Sequence, residues 1–217
     1  SATDFAGNQT KMGFHCRIRA KSFRKDVINI SDAFISSRMV PLLAAAGQSE
    51  TDLTKVFLAV NRDMRQANYD QLTGLGKQTI PEKLWQGSFL RLPKSANRAQ
   101  FADHRVYRYK GEIVDRQVHL GADLASIQQS PIPAANTGRV VFAANVGIYG
   151  NTVVIDHGFG LFSLYAHLSA IAVKDGDRVD KGDTIGKSGA TGRFVGDHLH
   201  FGMMVHDTFV NPIEWWD

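Results

Sequence analysis

GDHLHFGMMV, residues 196–205, is the stretch on which the fold turns. Read as a β-strand, it changes face at every residue, so His198 and His200 project to one side, about 7 Å apart along the chain. Leu199, Phe201, Met203 and Val205 then project to the other side and can fill a core. Such a strand presents two imidazoles at one place while its apolar face anchors it. A lone HxH pattern is a weak signal, because surface strands often carry polar residues at alternate positions. The run before it, GKSGATGRFVGD (186–197), adds to the signal: Gly189, Gly192 and Gly196 leave the backbone open close to the histidines.

Working outward, the chain beyond residue 100 is made of short apolar runs separated by Gly and Asp turns, the pattern of an antiparallel sheet. The expected strands are 106–109, 138–144, 152–156, 161–165, 184–187 and 199–205, with Lys110-Gly111 and His157-Gly158-Phe159-Gly160 as turns. Before residue 95 the period changes to a helical one. Leu53, Val56, Phe57, Val60 and Met64 form one apolar stripe of a helix reaching to about Leu75, with Ser49 or Thr51 as its N-cap. A shorter helix over 31–46 ends at Gly47, and Pro41 predicts a break within it. Residues 13–25 alternate apolar and basic residues as an exposed strand would, and 81–98 read as an irregular connector whose Trp85, Phe89 and Leu90 pack on a neighbouring element. The expected class is α+β: a mainly helical N-terminal region, 1–95, followed by an antiparallel β-sheet or open barrel, 96–217.

A second candidate segment is VHLGAD (118–123). His119 and Asp123 would stand about 13 Å apart on an extended strand, too far for one metal ion, so they converge only if the chain turns between them. Gly121 at the midpoint permits that turn. Two histidines and a carboxylate at roughly 2.0–2.2 Å are a frequent donor set of catalytic zinc, which keeps a fourth position for water. The metal lowers the pKa of that water toward about 7 and so makes a nucleophile at neutral pH. Spacing alone leaves open whether His198 or His200 is the ligand.

The stretches HLGADLA (119–125), YGNTVVIDHGFG (149–160), LYAHLS (164–169), VKDGDRVDKGDTIGKSGATG (173–192) and DHLHFGM (197–203) together resemble the LytM-type family of zinc metallopeptidases, peptidase family M23. That resemblance covers a little under half of the chain. It implies a peptidase domain over 96–217 that hydrolyses peptide bonds of bacterial peptidoglycan with Zn2+ as cofactor, and, as in family members with an upstream domain, a helical region over 1–95 that covers the active-site groove. It further implies His119, Asp123 and His200 as metal ligands and His167 and His198 as catalytic residues that do not bind the metal. The implied partner is a peptidoglycan peptide, and the implied location is the bacterial cell envelope, in the periplasm. The alternative it carries is a non-catalytic module that binds cell wall or regulates a partner hydrolase. Tyr107 and Tyr109 precede His119 on an alternating VYRY pattern and read as packing residues.

Composition fits this and excludes other classes. With 43 % hydrophobic and 21 % charged residues the chain is that of an ordinary globular protein rather than a disordered one. The 25 Lys+Arg against 21 Asp+Glu leave a net charge of only +4, and no aromatics interleave with the basic cluster at 17–21, so nucleic acid is not an expected partner. Cys16 is the single cysteine, which rules out an intramolecular disulfide and a Cys-based zinc cage. His15 beside it, His104, His157 and His206 read as ordinary structural or surface residues. No run approaches the roughly 18 apolar residues of a membrane span, so a targeting segment or membrane anchor is expected only upstream of residue 1. Oligomeric state is left open by the sequence.

Overall fold

The alternation along residues 150–168 and 199–205 produces a sheet that is apolar on both faces, which is why these strands read as nearly continuous hydrophobic runs. The computed structural model describes residues 2–3, 6–11, 13, 21–193 and 196–216. In chain order the strands are β1 (Ala2–Thr3), β2 (Gln9–Thr10), β3 (Lys25–Ile30), β4 (Ala96–Ala99), β5 (His104–Tyr109), β6 (Glu112–Val118), β7 (Ala122–Ala125) and β8 (Pro131–Pro133). They continue as β9 (Gly138–Val146), β10 (Gly150–Asp156), β11 (Leu161–Leu168), β12 (Ala170–Ile171), β13 (Arg178–Val179), β14 (Thr184–Lys187), β15 (Leu199–Val205) and β16 (Thr208–Val210). The main sheet runs β13-β9-β10-β11-β15-β7-β4, with β16 beside β15, and all of its pairings are antiparallel. It is flanked by β12-β14-β8 and by β3-β5-β6, and it does not close into a barrel. The class is α+β, as expected.

One face of the main sheet carries Val153, Ile155, Tyr165, Leu199, Phe201 and Met203, packed with Phe89 and Leu92 of the connector. The other carries Val154, Phe162, Leu164, Ala166 and Met204, packed with the helical residues Ile35, Met39, Phe57, Val60 and Leu72 and with Tyr107 and Tyr109. The helices and the sheet therefore share one core, and β3 pairs in parallel with β5 from Lys25↔His104 to Ile30↔Tyr109. Of the side chains expected opposite the histidines, Val205 is the exception: it is exposed.

The first helix spans 32–45, capped by the Ser31 side chain, which accepts from the Phe34 N–H at 3.2 Å. Pro41 does not break it. A π-helical segment, Ile35–Met39, precedes the proline, the Val40 N–H reaches back to the Ile35 carbonyl, and Pro41 falls in the first turn of the α-helical segment that follows, Val40–Ala45. A first-turn position needs no N–H from proline. The second helix runs over 53–74 and closes in a 3₁₀ turn at Leu75–Lys77. Its N-cap is Asp52, not Ser49 or Thr51: the Asp52 carboxylate accepts from the Thr54 and Lys55 N–H groups at 2.8 and 3.2 Å. The connector holds Phe89 between Trp215 and His157, whereas Leu90 stays exposed. Of the strand expected over 13–25, residues 14–20, with His15 and Cys16, lie outside the described residues, residues 21–24 are not a strand, and only Lys25 belongs to one, β3.

Candidate metal centre

Register brings the segments together. Antiparallel pairing of β7 with β15 sets Asp123 directly opposite His200. His119 lies just before β7, pinned by its own N–H to the Asp103 carbonyl (3.0 Å) and by its carbonyl to the Ala102 N–H (2.8 Å). The chain bends at Gly121, as the convergence of His119 and Asp123 requires, but without a positive φ, so the bend itself does not call for glycine. A Cβ there would sit 2.6 Å from the Phe201 carbonyl and 2.7 Å from the His200 ring, and glycine is what lets His200 approach.

Three atoms then form a buried triangle: His119 Nε2 to Asp123 Oδ1, 3.0 Å; His119 Nε2 to His200 Nδ1, 3.0 Å; His200 Nδ1 to Asp123 Oδ1, 2.9 Å. They are the one group of metal-ligating atoms this close together among the described residues. Tautomer decides what the triangle is for. His119 Nδ1 lies 2.9 Å from the Gln100 carbonyl, which can only accept, so Nδ1 carries the hydrogen and Nε2 offers a lone pair. Burial works against ionising Asp123, but positive charge in the triangle, carried by His119 when its ring takes a second proton on Nε2, and the hydrogen bonds that come with protonated rings outweigh it and hold the carboxyl well below its usual range. With that proton gone, Nε2 is a bare lone pair again. Burial also pushes His200 down to about 4, against the pull of Asp123, so its ring is neutral at pH 7. A carboxylate oxygen and an imidazole lone pair thus face each other at 3.0 Å, an arrangement a shared cation relieves. A tetrahedral zinc with bonds near 2.05 Å has ligand-to-ligand edges of roughly 3.3 Å, close to this triangle. The donor set fits zinc.

Two more histidines face the same place. His198 points to the side of His200 and stands 4.0 Å from Asp123 Oδ1 through Nε2. His167 reaches the site through an irregularity. By alternation it would share the face of Tyr165, in the opposite core, but β11 carries an extra residue between the Val153↔Tyr165 and Asn151↔Leu168 pairs, and His167 has φ +65°. That left-handed backbone, costing on the order of 1–3 kcal/mol, turns the ring toward the centre, 4.9 Å from His198 and 5.9 Å from His200 between centroids. Burial, and then the neighbouring His198 and His200, push His167 well below its usual pKa. His167 Nδ1 lies 2.9 Å from the Thr191 carbonyl and His198 Nδ1 3.0 Å from the Gly196 carbonyl, so in both rings Nδ1 is committed as a donor and Nε2 is the atom turned to the centre's chemistry.

All five residues singled out in the sequence therefore converge. Sequence reading missed Arg105, whose Nη2 donates to Asp123 Oδ2 at 3.1 Å with both side chains buried. It missed Tyr149, which stacks edge-on to His200 at 5.7 Å. No sequence period marks either, because each reaches the site through the pairing of separate segments. Tyr107, read as a packing residue, is buried and also accepts a hydrogen bond from Arg193 at 3.1 Å. His157 is not a turn residue at the surface: it is fully buried, with Nδ1 2.8 Å from the Thr137 carbonyl and Nε2 2.7 Å from the Ser163 hydroxyl.

Comparison with known proteins points to one peptidase family. Residues 117–212 match the model of peptidase family M23. The DD-carboxypeptidase/endopeptidase Mpg of Neisseria meningitidis is 41 % identical over 98 residues, covering 45 % of this chain and 23 % of that protein. The peptidoglycan DD-endopeptidase ShyA of Vibrio cholerae is 29 % identical over 215 residues, covering 83 % of this chain and 50 % of that one. The chain thus spans 23 % of the one relative and 50 % of the other. Among solved structures, a zinc-containing peptidase from Vibrio cholerae superposes with a TM-score of 0.52 at 30 % identity, over 61 % of this chain and 40 % of that one. In residues 117–212, the segment that holds the histidine and aspartate triangle, the chain carries a domain of peptidase family M23, of the LytM type.

Proposed function

We propose that this chain is a zinc-dependent endopeptidase that hydrolyses peptide bonds of bacterial peptidoglycan, with D,D-cross-links as the preferred bonds. The observation that carries the reading is the triangle of His119 Nε2, Asp123 Oδ1 and His200 Nδ1 with two further histidines beside it. The family match and the printed activities of Mpg and ShyA support it. Action on this polymer places the protein in the cell envelope, with the periplasm as the compartment that fits.

Zinc held by those three residues supplies Lewis-acid polarisation of a carbonyl and a hydroxide nucleophile at neutral pH. His119 is oriented by the Gln100 carbonyl and Asp123 by Arg105, which occupies the second carboxylate oxygen and leaves Oδ1 for the metal. His198 and His167 act through Nε2: one of them takes the proton of the attacking water and, as the imidazolium, donates it toward the oxygen on which negative charge develops, the other ring being the alternative base. The proton is then available to the departing amine.

The fold divides, in this proposal, into a peptidase domain over 96–217 and a mainly helical region over 1–95 that covers the groove and limits access of the polymer. Arg65 and Tyr69 of the second helix wall a cavity of about 190 Å³ together with His119, His167 and His200. A wider cavity of about 520 Å³ lies on the Asp123 and His198 side.

Digestion of purified peptidoglycan, with fragments identified by mass, tests both parts. The zinc-loaded chain is expected to release cleaved cross-links, the metal-stripped chain none, and soluble cross-linked dimers are expected to be cut faster than intact sacculi. His119→Ala and His200→Ala lose metal and activity, whereas His198→Ala loses activity while retaining most of the zinc. A chain that binds no stoichiometric zinc and leaves peptidoglycan uncut is a binding module instead, and equal rates on dimers and sacculi refute the cover.

A further inference from the structure

The smaller cavity has a charge pattern that the hydrolytic steps above do not use. Its walls include two guanidiniums, Arg65 and Arg105, and no carboxylate. Arg105 is committed to Asp123. Arg65 makes no ion pair among the described residues: its Nε donates to the Asn61 carbonyl at 2.9 Å and its Nη2 to Asn61 Oδ1 at 3.0 Å, both neutral acceptors. Asn61, fully buried, also accepts from Arg193 and donates to Asp115 Oδ2 at 2.6 Å, so it fixes the orientation of Arg65 from behind. Burial, and next the neighbouring Arg193, push Arg65 down to about 10, which still leaves it charged at pH 7. Partly buried positive charge without an anion is costly, and a guanidinium is shaped to bind a carboxylate through two parallel hydrogen bonds. Burial holds the nearby Tyr149 hydroxyl protonated and thus available as a further donor.

We infer that this cavity is a carboxylate subsite, in which Arg65 of the second helix binds the free carboxylate of the substrate residue next to the scissile bond. The helix over the centre then selects the substrate as well as screening it. About 190 Å³ holds one small or medium amino-acid residue and its carboxylate, not a second strand of polymer. The inference rests on the proposed peptidase reading and adds a substrate class: peptides bearing a free carboxylate beside the cleaved amide, in preference to those where that group is amidated.

Calorimetric titration of the full chain with N-acetyl-D-alanine and with its carboxamide tests this, carried out with the protein zinc-loaded and zinc-free. The acid is expected to bind at least tenfold more tightly than the amide in both forms. Arg65→Gln is expected to abolish that preference and leave zinc affinity unchanged, and Arg65→Lys, which keeps the charge without the fork, to retain part of it. Equal binding of acid and amide by the wild-type chain overturns the inference whether or not the variants fold. So does a preference retained in Arg65→Gln, or one seen only with zinc, since the carboxylate would then sit on the metal. Hydrolysis is not read in this titration. A chain that prefers the acid but leaves peptidoglycan uncut refutes the proposed activity alone, and one that cleaves without preference refutes the subsite alone.

Discussion

Asp123 gives its two oxygens different work. Oδ1 meets His119 and His200, while Oδ2 is taken by Arg105 from a neighbouring sheet. Partners of metal ligands commonly contribute 10–100-fold to metal affinity, so Arg105→Gln is expected to weaken zinc retention by about that factor, as measured by competition with a chelator of known affinity. An unchanged affinity would mean that Asp123 is oriented by its histidines alone. At this scale the ligands were legible as HxxxD and HxH because each motif is local, and the choice of His200 over His198 came from family resemblance. Arg105 and the φ of +65° at His167 were not legible, because one depends on a contact between sheets and the other on a bulge.

Elements deliver these residues through register. A slip of one residue between β7 and β15 would turn Asp123 away from His200, and Gly121 is the point where the pairing leaves no room. Gly121→Ala is therefore expected to destabilise the fold by about 1–3 kcal/mol and to reduce zinc content, read by urea unfolding and metal analysis of the same preparation. A variant with wild-type midpoint and full zinc would show that the β7–β15 edge yields easily. The strands were readable because turns punctuate them and both faces are apolar. Pro41 misled because the rule assumes an i→i+4 helix, and the π-helical turn before it moves the proline to a position that asks nothing of its nitrogen.

For the whole molecule, pH acts through a buried histidine far from solvent. His157 Nδ1 donates to the Thr137 carbonyl, so Nε2 accepts from Ser163, whose hydroxyl stands 2.9 Å from that of Tyr165. Burial pushes His157 down to about 4 from an ordinary value of 6.5, so the folded protein resists a proton that the unfolded chain takes up readily. Stability from the neutral ring is complete above about pH 6.5 and declines as pH falls toward 4, by about 3 kcal/mol in all. Urea midpoints at pH 7.5 and 4.5 should show this fall in the wild type and a smaller one in His157→Gln. A decline of the same size in both would assign the acid sensitivity elsewhere.

The parallel pairing of β3 with β5 has a consequence in time. Lys25 waits for His104, 79 residues later, and the apolar stripe of the helices waits for Tyr107, Phe162 and Met204. During synthesis the first hundred residues emerge without the surfaces they bury against, and long-range pairing of this kind is slow. The N-terminal half therefore gains these buried contacts only once residues 104–204 are available, and the triangle of His119, Asp123 and His200 cannot assemble before residue 200 is in place.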